Sequence, residues 1–202
     1  MVYSPEGQST STGLICRAQQ EDQHAWNRLV RLYGPLVYHW VRKTGISEND
    51  AADIGQEVFR TAATKISDFD PTGSGSGFRA WLRTITRNKI GDFLRQARRR
   101  EVGYGGSDSW ISKVRFDEGE DDESTGDGKS NSSELDYLFS AALNLIKTDF
   151  LPQTWQAFWR AAIDDEPVQQ IAQDLDMSTK AIRQAKYRVL KRLRDEFGDL
   201  FD

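Results

Sequence analysis

The 202-residue chain carries 27 Lys and Arg against 31 Asp and Glu, a formal net charge of −4, with 38% hydrophobic and 29% charged residues. Taken whole, that balance argues against a nucleic-acid ligand and describes a soluble globular chain of one or two domains. A lone cysteine, Cys16, excludes an internal disulfide, and two histidines, His24 and His39, leave little material for a zinc centre or a catalytic triad. No cofactor, metal site or catalytic residue is expected, and the chain reads as a non-enzyme. Met1 to Thr12 is polar, and no stretch approaches the roughly 18 apolar residues of a membrane-spanning helix. A cytoplasmic protein without membrane insertion is expected.

Charge is unevenly spread along the chain. Residues 1–100 hold 15 basic and 10 acidic residues, residues 101–136 hold 3 and 11, and residues 137–202 hold 9 and 10. Two basic runs stand out: Arg79 to Arg100 has 8 basic residues and one acid, Asp92, and Thr179 to Arg194 has 7 basic residues and no acid. Such asymmetry is itself a signal about partners.

In chain order, Leu14, Ile15 and Ala18 predict a short first helix. Trp26, Leu29, Val30, Tyr33, Leu36, Val37, Trp40 and Val41 recur at three-four spacing and predict a core-facing helix from Asp22 to Lys43. Pro35 lacks the N–H that would bond the Arg31 carbonyl, which predicts a kink or a junction of two helices, and Gly45 ends the segment. Ser47 then reads as an N-cap with Asp50 three residues on, followed by Ile54, Val58, Ala62 and Ile66 every four residues. The other side of that helix carries Asp53, Gln56, Glu57 and Arg60, which from the residues alone is a solvated face.

FDPTGSGSG, Phe69 to Gly77, is a glycine-rich loop. After it Phe78, Trp81, Leu82, Ile85 and Phe93 mark another amphipathic helix, along one side of which Arg79, Arg83 and Arg87 fall at i, i+4 and i+8. Like charges so placed cost an isolated helix a few tenths of a kcal/mol per pair. An anionic partner explains the stripe more economically, and Arg95, Arg98, Arg99 and Arg100 extend it. Phe78, Trp81, Thr84 and Asn88 interleave with the charges. Each ring taken alone reads as core, but aromatic rings between arginines also suit stacking on unpaired bases.

Glu101 to Ser133 is rich in Gly, Ser, Asp and Glu, with too few apolar residues to repay ordering, and reads as an acidic linker in which Trp110, Ile111, Val114 and Phe116 can form one docking turn. Beyond it, Leu135, Leu138, Phe139, Ala142 and Ile146 predict a helix. Pro152 opens another, with Trp155, Phe158, Trp159 and Ala162 facing the core. Pro167 starts a short helix with Val168, Ile171, Ala172 and Leu175. Asp176-Met177 is a tight connection, and Ser178 caps a long helix to about Phe197. There Ile182, Ala185, Val189, Leu193 and Phe197 are spaced for burial, which leaves Lys180, Arg183, Gln184, Tyr187, Arg188, Lys191 and Arg192 outside. A short helix, a tight turn and a basic helix make a helix-turn-helix, whose second helix enters the DNA major groove. Arg183 can pair with guanine edges and Gln184 with adenine.

The order of these segments resembles the bacterial sigma factors of the extracytoplasmic-function (ECF) type, within the sigma-70 family. AWNRLVRLYGPLVYHWVRKTG with DAADIGQEVFRTA resembles region two, FRAWLRTITRNKIGDFLRQARRR its promoter-melting and minus-ten-reading helix, and TWQAFWRAAIDDEPVQQIAQDLDMSTKAIRQAKYRVLKRLRDEF region four. The resemblance implies an all-α fold with region 2 at residues 12–101, an acidic flexible linker at 102–133 and a region 4 helix-turn-helix at 134–202. It implies that Asp53, Gln56, Glu57 and Arg60 dock on core RNA polymerase. Phe78, Arg79, Trp81, Arg83, Thr84, Arg87 and Asn88, with the loop from Asp70 to Gly77, would hold the minus-ten element and its melted non-template strand. Ser178, Thr179, Lys180, Arg183, Gln184, Tyr187 and Arg188 would read the duplex minus-thirty-five element. An anti-sigma factor is a further implied partner. Gly55 departs from the family, which usually has an aliphatic residue there. The competing expectation is a stand-alone helix-turn-helix regulator that binds duplex DNA without polymerase. On either reading the net charge of −4 no longer excludes nucleic acid, because it sums two basic helices and an acidic tether.

Overall fold

The computed structural model describes residues 10–70, 77–102 and 128–197, and every regular element among them is helical. In order these are α1 (Thr10–Gln19), α2 (Gln23–Lys43), α3 (Glu48–Lys65), α4 (Phe78–Val102), α5 (Gly128–Ile146), α6 (Pro152–Ala162), α7 (Val168–Asp174) and α8 (Thr179–Phe197). Residues 71–76 of the glycine-rich loop, and residues 103–127 with the expected docking turn of Trp110, Ile111, Val114 and Phe116, lie outside the described residues. The chain divides into two compact units, residues 15–138 and residues 139–202, the latter grouped with the segment up to Leu14.

In the first unit α2 is the central element. Asp22 caps it by accepting from the His24 and Ala25 amides at 2.9 and 3.1 Å. The Arg17 guanidinium, at 2.8 and 2.6 Å from Asp22 Oδ2, and the Ala25 amide hold the Asp22 carboxyl below its ordinary range. At the other end Thr44 is still helical and Gly45 takes φ +89, the left-handed conformation that glycine accepts without cost.

The junction expected at Pro35 does not occur, because α2 runs through it as one helix. A mid-helix proline costs about 3 kcal/mol. Leu29, Leu32, Leu36, Val37 and Val41 are all fully buried around it, and each such side chain contributes about 1.5–3 kcal/mol. Packing therefore overrides the local penalty. α3 is capped as expected: the Ser47 hydroxyl accepts from the Asp50 amide at 3.2 Å and donates to the Asp50 carboxylate at 2.6 Å. Ala51, Ile54, Val58 and Ala62 are buried along it.

α4 buries Phe78, Leu82, Ile85, Ile90 and Leu94, together with Thr86, whose hydroxyl donates to the Leu82 carbonyl at 2.8 Å. Its seam thus runs through Ile90 and Leu94, while Phe93 is only half-buried. α5 starts at Gly128, so residues 128–133 of the expected linker are helical, and the boundary between units falls after Leu138 rather than at 134. GKSNSS has no apolar period to announce a helix. Those turns extend N-terminally from one anchored by buried Glu134 and Leu138, and propagation is cheap once a helix is nucleated.

In the second unit Pro152 sits in the first turn of α6 and Leu151 is its N-cap. Trp155, Ala157, Phe158 and Ala161 are buried there. Trp159, expected in the core, is exposed instead, because the buried seam turns through the small residues Ala157 and Ala161. α7 and α8 pack on α6 around Ala157, Ala161, Ile171, Ile182 and Ala185, with Val168, Ala172, Leu175 and Met177 at the edge. Three alanines in this cluster let the helix backbones approach closely.

Candidate nucleic-acid interface

The turn between α7 and α8 is built from backbone bonds. The Leu175 amide donates to the Ile171 carbonyl and the Met177 amide to the Ala172 carbonyl, both at 3.0 Å, while Asp176 takes φ 50. Aspartate is one of the few non-glycine residues that tolerates that region. The Ser178 hydroxyl then accepts from the Ala181 amide at 3.1 Å and starts α8.

Along α8 the inward positions are Ile182, Ala185, Val189, Leu193 and Phe197, joined by Glu196. Thr179, Lys180, Arg183, Gln184, Tyr187 and Arg188 are all exposed, with Tyr187 at 64% although it is a large aromatic residue. Two of the basic residues in this helix are engaged internally. Lys186 Nζ donates to the Ala161 carbonyl at 3.2 Å. Arg192, expected outside, is half-buried and pairs with Asp149 at 3.0 Å and Glu196 at 2.7 Å. The charge count alone could not separate these from Arg183 and Arg188.

Arg160 was not singled out by sequence pattern, yet it ties three elements together. From α6 its guanidinium, with the side chain 18% exposed, meets Glu166 at 2.9 and 3.0 Å and Asp174 at the end of α7 at 2.6 Å. These bonds raise the Arg160 pKa further and hold the Glu166 carboxyl below its ordinary range. Arg160 therefore sets the angle at which α7 leaves α6. The only hint in sequence is an arginine six residues before an acid-proline pair.

On the first unit α4 presents Arg83, Thr84, Arg87 and Asn88 outward, with Arg79 and Trp81 half-buried. Phe78 is 6% exposed, which corrects the expectation that its ring faces a ligand. It sits in an aromatic cluster, its centroid 5.0 Å from Tyr33, 5.5 Å from Phe69 and 5.2 Å from Trp81. Trp81 and Phe69, with centroids 5.2 Å apart, are the two half-buried rings of this cluster. Gln19 at the end of α1 fastens the chain just before the glycine-rich loop, with its amide nitrogen donating to the Ile66 and Phe69 carbonyls at 2.8 and 2.6 Å. On α3, Asp53, Gln56, Glu57 and Arg60 are all exposed on the side opposite the core, and Glu57 pairs with Arg60. A Cβ at Gly55 would meet nothing within 4 Å.

Residues 29–100, from within α2 to near the end of α4, match the family described as Sigma-70 region 2. The RNA polymerase sigma factor NccH of Alcaligenes xylosoxydans is 36% identical over 100 residues. The ECF RNA polymerase sigma factor BldN of Streptomyces coelicolor is 29% identical over 181 residues, 89% of this chain. Over residues 29–100 the chain is thus similar to Sigma-70 region 2, and the relatives it matches are named RNA polymerase sigma factors. It spans about half the length of NccH (52%) and 63% of BldN. A solved structure of CnrH with the cytosolic domain of CnrY is also similar, at 22% identity and a TM-score of 0.39, covering 91% of this chain and 94% of that one.

The matched span takes in α2 from Leu29 onward, all of α3 and α4 as far as residue 100, so the exposed faces of α3 and α4 both lie within it. Among the described residues no group of three or more His, Cys, Asp and Glu side chains could hold a metal ion. No described helix is long and apolar enough to cross a membrane.

Proposed function

We propose that this protein is a dissociable sigma factor of the ECF type. It binds core RNA polymerase in the cytoplasm, directs it to promoters through the minus-ten and minus-thirty-five elements and aids strand opening, without active-site chemistry of its own. The observation that carries this reading is a match to Sigma-70 region 2 at residues 29–100 followed in one chain by a helix-turn-helix whose basic residues Lys180, Arg183 and Arg188 are exposed.

In this reading Asp53, Gln56, Glu57 and Arg60 dock on polymerase. Trp81, Arg79, Arg83, Thr84, Arg87 and Asn88 meet the opened minus-ten element, with Phe78 supporting Trp81 from the core. Extruding a base costs a few kcal/mol, and a stack on an accessible ring such as Trp81 returns about 1–3 kcal/mol of it. Lys180, Arg183, Gln184, Tyr187 and Arg188 read the minus-thirty-five duplex, with Ser178 and Thr179 at the helix start beside the phosphates. The acidic segment between α4 and α5 lies in basic channels of the polymerase. An anti-sigma factor would cover the docking faces.

Run-off transcription with core polymerase tests this directly. Addition of the protein is expected to give promoter-dependent transcripts and a complex with core on gel filtration. Absence of both would refute the assignment, and tight specific duplex binding without polymerase would favour a stand-alone regulator.

A further inference from the structure

The basic stripe on α4 is not free along its whole length. Its middle member, Arg83, meets the Glu134 carboxylate of α5 at 3.4 Å, and the same oxygen, Oε1, accepts the Trp40 indole N–H at 2.8 Å. The Arg83 guanidinium also lies 5.7 Å from the Trp40 ring centroid. Beside them Tyr137, one turn further along α5, stacks on His39 at 4.4 Å. All five residues belong to the unit formed by residues 15–138.

The exposures are unequal. The Glu134 side chain is 4% exposed, while that of Arg83 is 49% exposed. Among the described residues, the partners of this buried carboxylate are a half-solvated guanidinium and one neutral donor. Taking a charge out of water is costly, and a single ion pair at this separation with one indole bond offsets it only narrowly. The donors, in contrast, form a ready seat for an anionic oxygen: an indole N–H, a guanidinium with one side still open, and Arg79 and Arg87 one helical turn away on either side.

We propose that Trp40 and Arg83 form a phosphate seat for the DNA backbone, that Glu134 occupies it as an internal stand-in, and that the start of α5 is thereby a latch over the centre of the α4 stripe. A DNA phosphate exchanges with the Glu134 carboxylate, which returns to water as residues 134–138 come away. The latch lowers the affinity of the free protein for any DNA strand without touching the outer arginines. The identity of the ligand as DNA rests on the sigma-factor reading above, whereas the seat and its occupant rest on the geometry.

The test uses the full chain and a short pyrimidine single-stranded DNA oligonucleotide, since a phosphate seat is indifferent to sequence. Glu134→Gln keeps an acceptor for Trp40 and removes only the charge. It is expected to bind about tenfold more tightly than wild type, the size of one charge-assisted contact. Its salt dependence is expected to steepen by about 0.7, one further phosphate on a single strand. The gain should vanish in an Arg83→Met background, and hydrogen exchange of residues 134–138 should quicken when wild type binds the oligonucleotide. Unchanged affinity in Glu134→Gln, or a gain that persists without Arg83, would overturn the latch. If Glu134→Gln loses helix content by circular dichroism, Trp40→Phe removes the indole donor from the carboxylate together with part of the ring, and should quicken exchange at 134–138 in the free protein; unaltered exchange would equally overturn the latch. Run-off transcription separates the two layers. A latch response without transcripts keeps the seat and removes the promoter role, while transcripts without a latch response do the reverse.

Discussion

Gln19 offers a sharp test of how the first unit holds its glycine-rich loop. Replacing it with leucine keeps most of the side-chain volume and removes the amide that donates to the Ile66 and Phe69 carbonyls at 2.8 and 2.6 Å. The Ile66 carbonyl keeps the Phe69 amide at 3.2 Å as a second partner. Both Gln19 bonds are then lost, one of them from a carbonyl that keeps a second partner, and typical net values of about 0.5–1.5 kcal/mol per bond put the total near 1–2 kcal/mol. Phe69 packs against Trp81 at 5.2 Å, so on the proposed reading the loss should act on base capture as well as on stability. A ~1–2 kcal/mol loss corresponds to about 5- to 30-fold slower or weaker opening. The assay is fluorescence of 2-aminopurine placed at successive minus-ten positions in a polymerase complex, beside thermal melting of the free protein. Gln19→Leu should lower the melting temperature and slow the fluorescence rise while leaving minus-thirty-five duplex binding unchanged. Normal opening with a normal melt would show that these two bonds hold nothing, and normal opening with a lowered melt would confine Gln19 to stability.

Gly55→Ala should stabilise the protein by about 1 kcal/mol, because α3 gains a better helix former and the new Cβ meets nothing within 4 Å; chemical denaturation reads this, and a loss of stability would mean that the position is crowded. Ile182→Ala removes a fully buried side chain from the helix-turn-helix core and should cost about 2–5 kcal/mol, seen as early melting of α8 together with loss of minus-thirty-five binding. Burial holds the His39 imidazole below its ordinary value of 6.5, with Lys43 adding to the shift and Glu134 opposing it. The neutral form is therefore favoured by folding, so this stability is fully present above pH 6.5 and is lost as pH falls toward the lower folded value. Between pH 7 and 5 the first unit should melt progressively earlier, and His39→Phe should flatten that dependence.

Sequence periodicity located most of the helices, and it did so best where one face is strongly apolar. The inward set Ile182, Ala185, Val189, Leu193 and Phe197 in α8 and the Ser47 cap of α3 were legible from spacing and residue type. Failures came where tertiary packing outweighs local chemistry. Pro35 lies inside an unbroken helix because the surrounding leucines and valines are buried, and residues 128–133 are helical because Glu134 and Leu138 anchor the adjoining turns of α5. At the candidate site, residue type suggested which side chains are basic or aromatic but not what they touch. Arg192 pairs with Asp149, distant in sequence, and Arg83 with Glu134 on another helix. Phe78 and Trp81 are three residues apart and share one cluster, yet only the second is accessible, a difference set by which ring Tyr33 covers.

The division of labour around α8 has a consequence for how such a protein diversifies. Its inward residues interlock with the alanine-lined faces of α6 and α7, while Lys180, Arg183, Gln184, Tyr187 and Arg188 share none of those contacts. On the proposed reading, substitutions there that alter base preference leave folding stability nearly untouched, since exposed positions away from caps and cores usually change it by under about 0.5 kcal/mol. Duplicated copies can thus drift toward new target sequences along a path on which every intermediate still folds. The same head can be retargeted in the laboratory by exchanging a handful of side chains on a fixed frame.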